Sequence, residues 1–481
     1  MTASVLSYDI NVPVTYDTLK NGLRIIVVPD TNVAVVSCRL YYFVGSMYEG
    51  YGTSGLSHMY EHMMFKGTHT LGTKDFKKES LWLAKIDSVD KLIYKMKNRG
   101  ISDTAAITKK LRQEIVGYTD KQREFIKKDE IWQLYMGNGA THLNGWTADD
   151  MTAYIVTLPK NKVELFYWIE SDRMANPVFR EFYSERNVVL EELRMRYENQ
   201  PGNRFYEFLN SLFYIANPYR LPTIGWKSDI QNYTIQDLSN HVKQFYTPDN
   251  AVIVLVGNVS PKKAIADINK YFSAIPRAAK PKPEVVTREP APIGETKFTV
   301  YDDAEPRIDI MFHTPGFYNE DLYKLEVLES LLSGRSGRLF DRLVNREDLC
   351  TDADASNSIR INDGYFEISA TMKKGVDPQK VEQIIKDELA SLAKTPPSAR
   401  EMERIKNSIR MSFVSNLKSL EGISDRLAYF ERLGTWKYML SYPDKIAAVK
   451  ASDIPGIVNS YFDFSKATIG ILLQKQPTSG K

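Results

Sequence analysis

The sequence predicts an α+β chain of two homologous domains, each a mostly antiparallel sheet with helices packed on one face. Three observations predict it: an internal repeat, a proline-rich joint, and strand-like alternation interspersed with helical periods. Residues 242–256, VKQFYTPDNAVIVLV, align without a gap on residues 458–472, VNSYFDFSKATIGIL. Val242 then faces Val458, Phe245 faces Tyr461, Ala251 faces Ala467, Ile253 faces Ile469 and Leu255 faces Ile471. The same shift carries Ile230 onto Ile446 and Asp237 onto Asp453. Agreement at that many apolar positions points to two related halves, each closing on a helix followed by a buried strand. Between them, PRAAKPKPEVVTREPAP (residues 276–292) carries five prolines and reads as an extended linker. The expected division is therefore 1–275, the linker 276–292, and 293–481.

Within each half, period-two segments such as GLRIIVV, VAVVSCRLYYFV and FEISATM read as strands. Ser184 to about Glu198 reads as a long helix. Residues 74–128 do not fit the repeat. They are highly charged and form two helical stretches broken at NRGISD, with Leu81, Ile86, Val89, Leu92, Ile93 and Met96 at helical spacing on the first. An inserted antiparallel helical hairpin is expected there. Charged helix faces are usually only solvated, so it is read as surface decoration in preference to a partner-binding arm.

Composition narrows the function. A chain of 481 residues exceeds one ordinary domain, and 43% hydrophobic with 26% charged residues is a globular balance. A net charge of +3 offers no basic tract for nucleic acid. No apolar run approaches the roughly 18 residues that span a bilayer. The two cysteines, Cys38 and Cys350, lie far apart outside any CxxC pair and read as inert core thiols. The opening MTASVLSYDI lacks the regions of a signal peptide, so the expectation is a cytoplasmic protein, or an exported one already trimmed.

The chemistry concentrates in GLSHMYEHMMFKGT, residues 55–68. On a helix, His58 and His62 lie one turn apart and point the same way, with Glu61 beside them. Two imidazoles so placed can share one zinc ion, and a flanking carboxylate can take a proton from its water. The order HxxEH inverts the zincin motif. The bland alternative is a solvated polar face, but Met59, Met63, Met64 and Phe65 ring the motif with apolar surface. GTSG before it offers Ser54 or Thr53 as helix cap. A third ligand is required. His69, His142, His241 and His313 remain, and in SERNVVLEELRMRYE Glu185 and Glu192 share a helix face two turns apart. Spacing alone leaves Glu191 open, and leaves open an ordinary surface helix in which Arg186, Arg194 and Arg196 pair with the acids.

With these residues in view, the chain resembles the pitrilysin, or insulinase-like, zinc metallopeptidases, in particular the subgroup of mitochondrial-processing-peptidase type. GLSHMYEHMMFKGT is similar to that family's active-site helix, NGLRIIVVPD to its first strand, FYTPDNAVIVLVGNVSP to the close of its first half, and NPYRLPTIGW to one of its loops. The resemblance implies two similar α+β domains, one Zn2+ per chain held by His58, His62 and Glu192, Glu61 as general base, and Glu185 as a supporting acid. It also implies that THLNGWT is an edge strand on which an extended peptide adds, with Asn144, Gly145 and Trp146 as substrate-binding residues.

Two departures follow. His62 and Glu192 stand 130 residues apart, beyond the family's usual separation, and the excess falls on the charged hairpin. The family's second half also carries an arginine followed seven residues later by a tyrosine that clamp the substrate, where FDRLVNREDLCTDAD places Val344 and Thr351. The expectation is a catalytic subunit that cleaves unfolded peptides in a chamber formed with a homologous zinc-free subunit bearing the arginine–tyrosine pair. The alternatives are a self-sufficient homodimer and a non-catalytic scaffold or peptide-binding subunit.

Overall fold

A computed structural model describes residues 12–475 except Asp103. The opening residues read for an export signal lie outside the described residues. The chain divides into two compact units, one of residues 1–191, 221–285 and 419–432, the other of residues 192–220, 286–418 and 433–481.

The first unit is built on strands β1 (Thr15–Thr18), β2 (Arg24–Pro29), β3 (Val35–Tyr42), β4 (Thr141–Thr147), β5 (Thr152–Pro159) and β6 (Ala251–Gly257). They lie in the order β1-β2-β6-β3-β5-β4. Only β2 and β6 run parallel. Among them are helices α1 (Leu56–Met63), α2 (Phe76–Lys97), α3 (Ala106–Arg123), α4 (Glu130–Gly137), α5 (Val163–Ala175) and α6 (Phe182–Leu193). On β3, Val36, Cys38, Leu40 and Tyr42 alternate with Ser37, Arg39 and Tyr41, and all are buried. The second set forms a polar face. Tyr41 donates to Asp425 Oδ1 at 2.7 Å and Ser37 Oγ meets Ser424 Oγ at 2.9 Å, so a polar face is covered by helix Leu420–Arg432.

The second unit contains β7 (Thr296–Asp302), β8 (Arg307–Pro315), β9 (Cys350–Ser358), β10 (Asp363–Met372) and β11 (Thr468–Gln474), in the order β7-β11-β8-β10-β9. Again one pair, β7 and β11, is parallel. Strand for strand this repeats β2-β6-β3-β5-β4, and the aligned segments 242–256 and 458–472 end on the equivalent strands β6 and β11. Helix Pro201–Phe213 packs on β11, where a side chain at Gly470 would meet Phe205 within 2.7 Å.

The hairpin forms as α2 and α3, packed on one another. Ile86, Val89 and Ile93 are buried, but Leu81 and Leu92, expected on the same face, are 65% and 48% exposed. Both cysteines are free and buried, and burial pushes the Cys350 thiol up to about 11. Among the described residues no helix is long and apolar enough to cross a membrane.

Candidate metal centre

The helix α1 is held from its N-terminus by a group the sequence did not announce. Neither Ser54 nor Thr53 caps it. Gly55 occupies the cap position at φ 89, and the Glu49 carboxylate accepts from Gly55 N at 2.5 Å and Ser57 N at 2.7 Å. A carboxylate there satisfies free amides and meets the positive end of the helix dipole. Burial nevertheless raises Glu49 to about 7, against the lowering pull of those amides. Ser54 instead donates to Asp229 Oδ2 at 2.6 Å. Glycine is required at 55, because a Cβ would stand 2.3 Å from Ile224 O. That carbonyl belongs to the NPYRLPTIGW loop, which explains the loop's glycine too: a Cβ on Gly225 would meet Ser54 O at 2.3 Å.

From this anchored start, α1 presents His58 and His62 with ring centroids 4.8 Å apart. The division between the two units falls inside the continuous helix α6, one residue before Glu192. The helix carries Glu192 two turns beyond Glu185. One ligand atom each from His58, His62 and Glu192 lies within 4.8 Å of the others. Three ligands on a tetrahedral zinc stand about 3.4 Å apart, so a modest side-chain movement closes the set around an ion. Two imidazoles and one carboxylate are also the donor composition of catalytic zinc sites. Glu191 is exposed on α6.

Glu185 accepts from His62 Nδ1 at 3.0 Å and from Lys66 Nζ at 2.5 Å. A proton on Nδ1 leaves the Nε2 lone pair available for a metal. Burial works to raise the Glu185 carboxyl, but the His62 and Lys66 hydrogen bonds prevail and hold it below the usual range. Glu192 accepts from Arg196 Nε at 3.1 Å, from the π-helical turn Arg194–Glu198 that follows α6.

Glu61 lies between α1 and the sheet edge. Thr147 Oγ1 donates to its Oε2 at 2.8 Å, and a Cβ on Gly145 would stand 3.2 Å from both Glu61 Cγ and Phe65 Cε2. Strand β4 is the last in its sheet and pairs only with β5. Asn144 sits opposite Ile155, Gly145 opposite Tyr154 and Trp146 opposite Ala153. The ladder breaks between Thr141 and Asn144, where His142 adopts φ 52. Sequence reasoning named three residues of β4 and missed Thr147, whose only signal was its place two residues after the glycine. It missed Glu49 and Lys66 as well.

The other histidines go elsewhere. His241 is buried against Ser57 Oγ at 3.0 Å, and burial pushes it down to about 3, so it is neutral. His69 stacks on Phe76, His313 on Phe213, and His142 stands exposed on the edge strand.

Comparison with known proteins places the chain among related sequences and folds. Residues 24–82 match the family described as Insulinase (Peptidase family M16), and residues 232–409 match Peptidase M16 inactive domain. The chain is 26% identical over 459 residues to the zinc protease PqqE of Helicobacter pylori, covering 94% of this chain and 90% of that protein. It is 21% identical to the probable mitochondrial-processing peptidase subunit beta of Arabidopsis thaliana, covering 94% of this chain and 77% of that one. Its fold superposes on the crystal structure of a protease from Helicobacter pylori with a TM-score of 0.81 at 24% identity, over 97% of this chain and 100% of the other. The chain belongs to peptidase family M16.

Proposed function

We propose that this chain is a zinc metalloendopeptidase acting on unfolded peptides, and the catalytic subunit of a hetero-oligomer. The observation that carries the reading is the approach of His58, His62 and Glu192 to one another beside Glu61 and an open sheet edge. Zinc held by these three side chains would polarise a scissile carbonyl and make its bound water acidic near neutral pH. Glu61, on the same helix turn, takes a proton and returns it to the leaving amine. Thr147 restrains the Glu61 carboxylate through a hydrogen bond to Oε2. Glu185 fixes the His62 tautomer. The unpaired edge of β4 offers main-chain partners to an extended peptide, and Gly145 keeps the strand close to Glu61.

Support for the hetero-oligomeric part comes from Val344 and Thr351, which stand where the family's clamp would be. Val344 lies in the turn Asp341–Arg346 and Thr351 near the start of β9. A homologous zinc-free subunit would bring the missing arginine and tyrosine and close the chamber. The test is to assay the purified full chain with zinc against a mixed peptide library, alone and with any homologous chain that co-purifies from the source. The expected result is about one zinc per chain, with full turnover only for the pair. Full turnover by the chain alone would leave the homodimer, and absence of zinc would leave the scaffold.

A further inference from the structure

The inserted hairpin holds two acids, Glu79 and Asp90, both at 0% exposure in α2. They are eleven residues apart, about three turns, and so share a face. A buried carboxylate is tolerated only where donors replace its water. Here most of those donors come from outside the hairpin. Glu79 accepts from Arg180 Nε at 2.6 Å and Arg180 Nη2 at 3.0 Å, and from Gln122 of α3 at 2.8 Å. Arg180, itself buried, also donates to the carbonyls of Lys66, Thr68 and Leu71, the turn by which the chain leaves α1. It stands two residues before α6 begins. Asp90 accepts from the Tyr183 hydroxyl, in the first turn of α6, and from the backbone amides of Ile235 and Gln236, both at 3.2 Å. Those amides open helix Ile235–Phe245, whose His241 meets Ser57 of α1. Arg112 of α3 covers the Tyr183 ring at 4.5 Å, and Arg123 pairs with Glu181 at 2.7 Å.

Continuous apolar packing does not replace these pins. A cavity of about 190 Å3 lies between the hairpin and α6, lined among others by Ile86, Ile115, Phe182, Tyr183 and Asn187.

We infer that the hairpin braces the metal centre, with Asp90 and Glu79 as positioning residues that fix α6, and so Glu185 and Glu192, relative to α1. The inference rests on the zinc-peptidase reading. It corrects the expectation of surface decoration: the charged outer face is solvated, while the inner face is tied to the elements that carry the proposed ligands.

The test uses the full chain as Asp90→Ala, Asp90→Asn, Tyr183→Phe, Glu79→Gln and, as an outward-facing control, Leu81→Ala. Zinc affinity is read by competition with a chromophoric chelator, and amide hydrogen exchange of residues 182–193 is read in metal-free protein. Asp90→Ala and Glu79→Gln should bind zinc about 10-fold or more weakly. Both should speed exchange in α6, and Tyr183→Phe should do the same to a smaller degree. Asp90→Asn, which still accepts hydrogen bonds, should retain most of the affinity, and Leu81→Ala should match the parent. Folded Asp90→Ala and Tyr183→Phe with parental zinc affinity and parental exchange would overturn the brace. If Asp90→Ala does not fold, Tyr183→Phe decides, because it removes one hydroxyl and keeps the ring. A parent chain that binds no zinc would overturn the peptidase reading instead, and the exchange comparison would still judge the brace.

Discussion

The two units carry the same strand order on different chemistry. After β3 the first unit runs into α1, with its two histidines and Glu61. After β8 the second unit runs into helix Asp321–Leu332, where Leu322, Leu325, Val327, Leu328, Leu331 and Leu332 are buried and no histidine occurs. The sheet therefore demands only a helix at that point, and either an apolar face or a polar constellation satisfies it. What separates them is support. In the first unit Glu49, Ser57–His241, Thr147 and the hairpin acids hold polar side chains in place, whereas the helix of the second buries leucines and places its acids Asp321 and Glu326 against the hydroxyls of Tyr461 and Tyr442.

That contrast can be broken from either side. Glu192→Ala should have the largest effect, removing both zinc and peptidase activity, as read by metal analysis and peptide turnover; retained stoichiometric zinc would show that another residue completes the set. Glu61→Gln should lower kcat about 1,000-fold while zinc content stays at the parental value. Gly145→Ala crowds Glu61 and Phe65 and should cost about 10-fold in kcat with zinc unchanged. Thr147→Val, which removes the hydrogen bond to Glu61 Oε2, should have an effect of similar size.

The smallest effect on zinc and turnover belongs to the second unit. Burial, then the neighbouring Glu326, raises Glu329 from 4.5 to about 8. The folded chain then keeps a proton that the unfolded chain has lost, so the stability from this group is full below about pH 4.5 and disappears as pH climbs through about 8. Glu329→Gln should be more stable than the parent at pH 8, by about 4 kcal/mol at most, with the difference vanishing near pH 4. Denaturant titrations at the two pH values measure this. Zinc content should not change, because Glu329 is none of the proposed ligands.

The sequence carried what is local or repeated. HxxEH needs only one helical turn to be read, and the repeat needs only apolar spacing, so α1 and the likeness of the two halves are legible in the sequence. Glu192 could be chosen over Glu191 only through resemblance, because helical spacing places both on α6 and says nothing of what that helix faces. Glu49, Thr147 and Lys66 were invisible because their partners are set by tertiary contact. Leu81 and Leu92 misled for a related reason: periodicity marks an apolar stripe, but α2 buries only the part that α3 and its neighbours cover. Helix Leu420–Arg432 carries no signal of its place, because the polar face of Ser37, Arg39 and Tyr41 meets Ser424 and Asp425 only through long-range contact.

The most direct measurement is anomalous diffraction at the zinc edge from crystals of the full chain grown with zinc. The account predicts one strong peak per chain, about 2.0–2.2 Å from a nitrogen of His58, a nitrogen of His62 and a carboxylate oxygen of Glu192. A peak that lacks Glu192 among its ligands, or no peak at these residues, would contradict it.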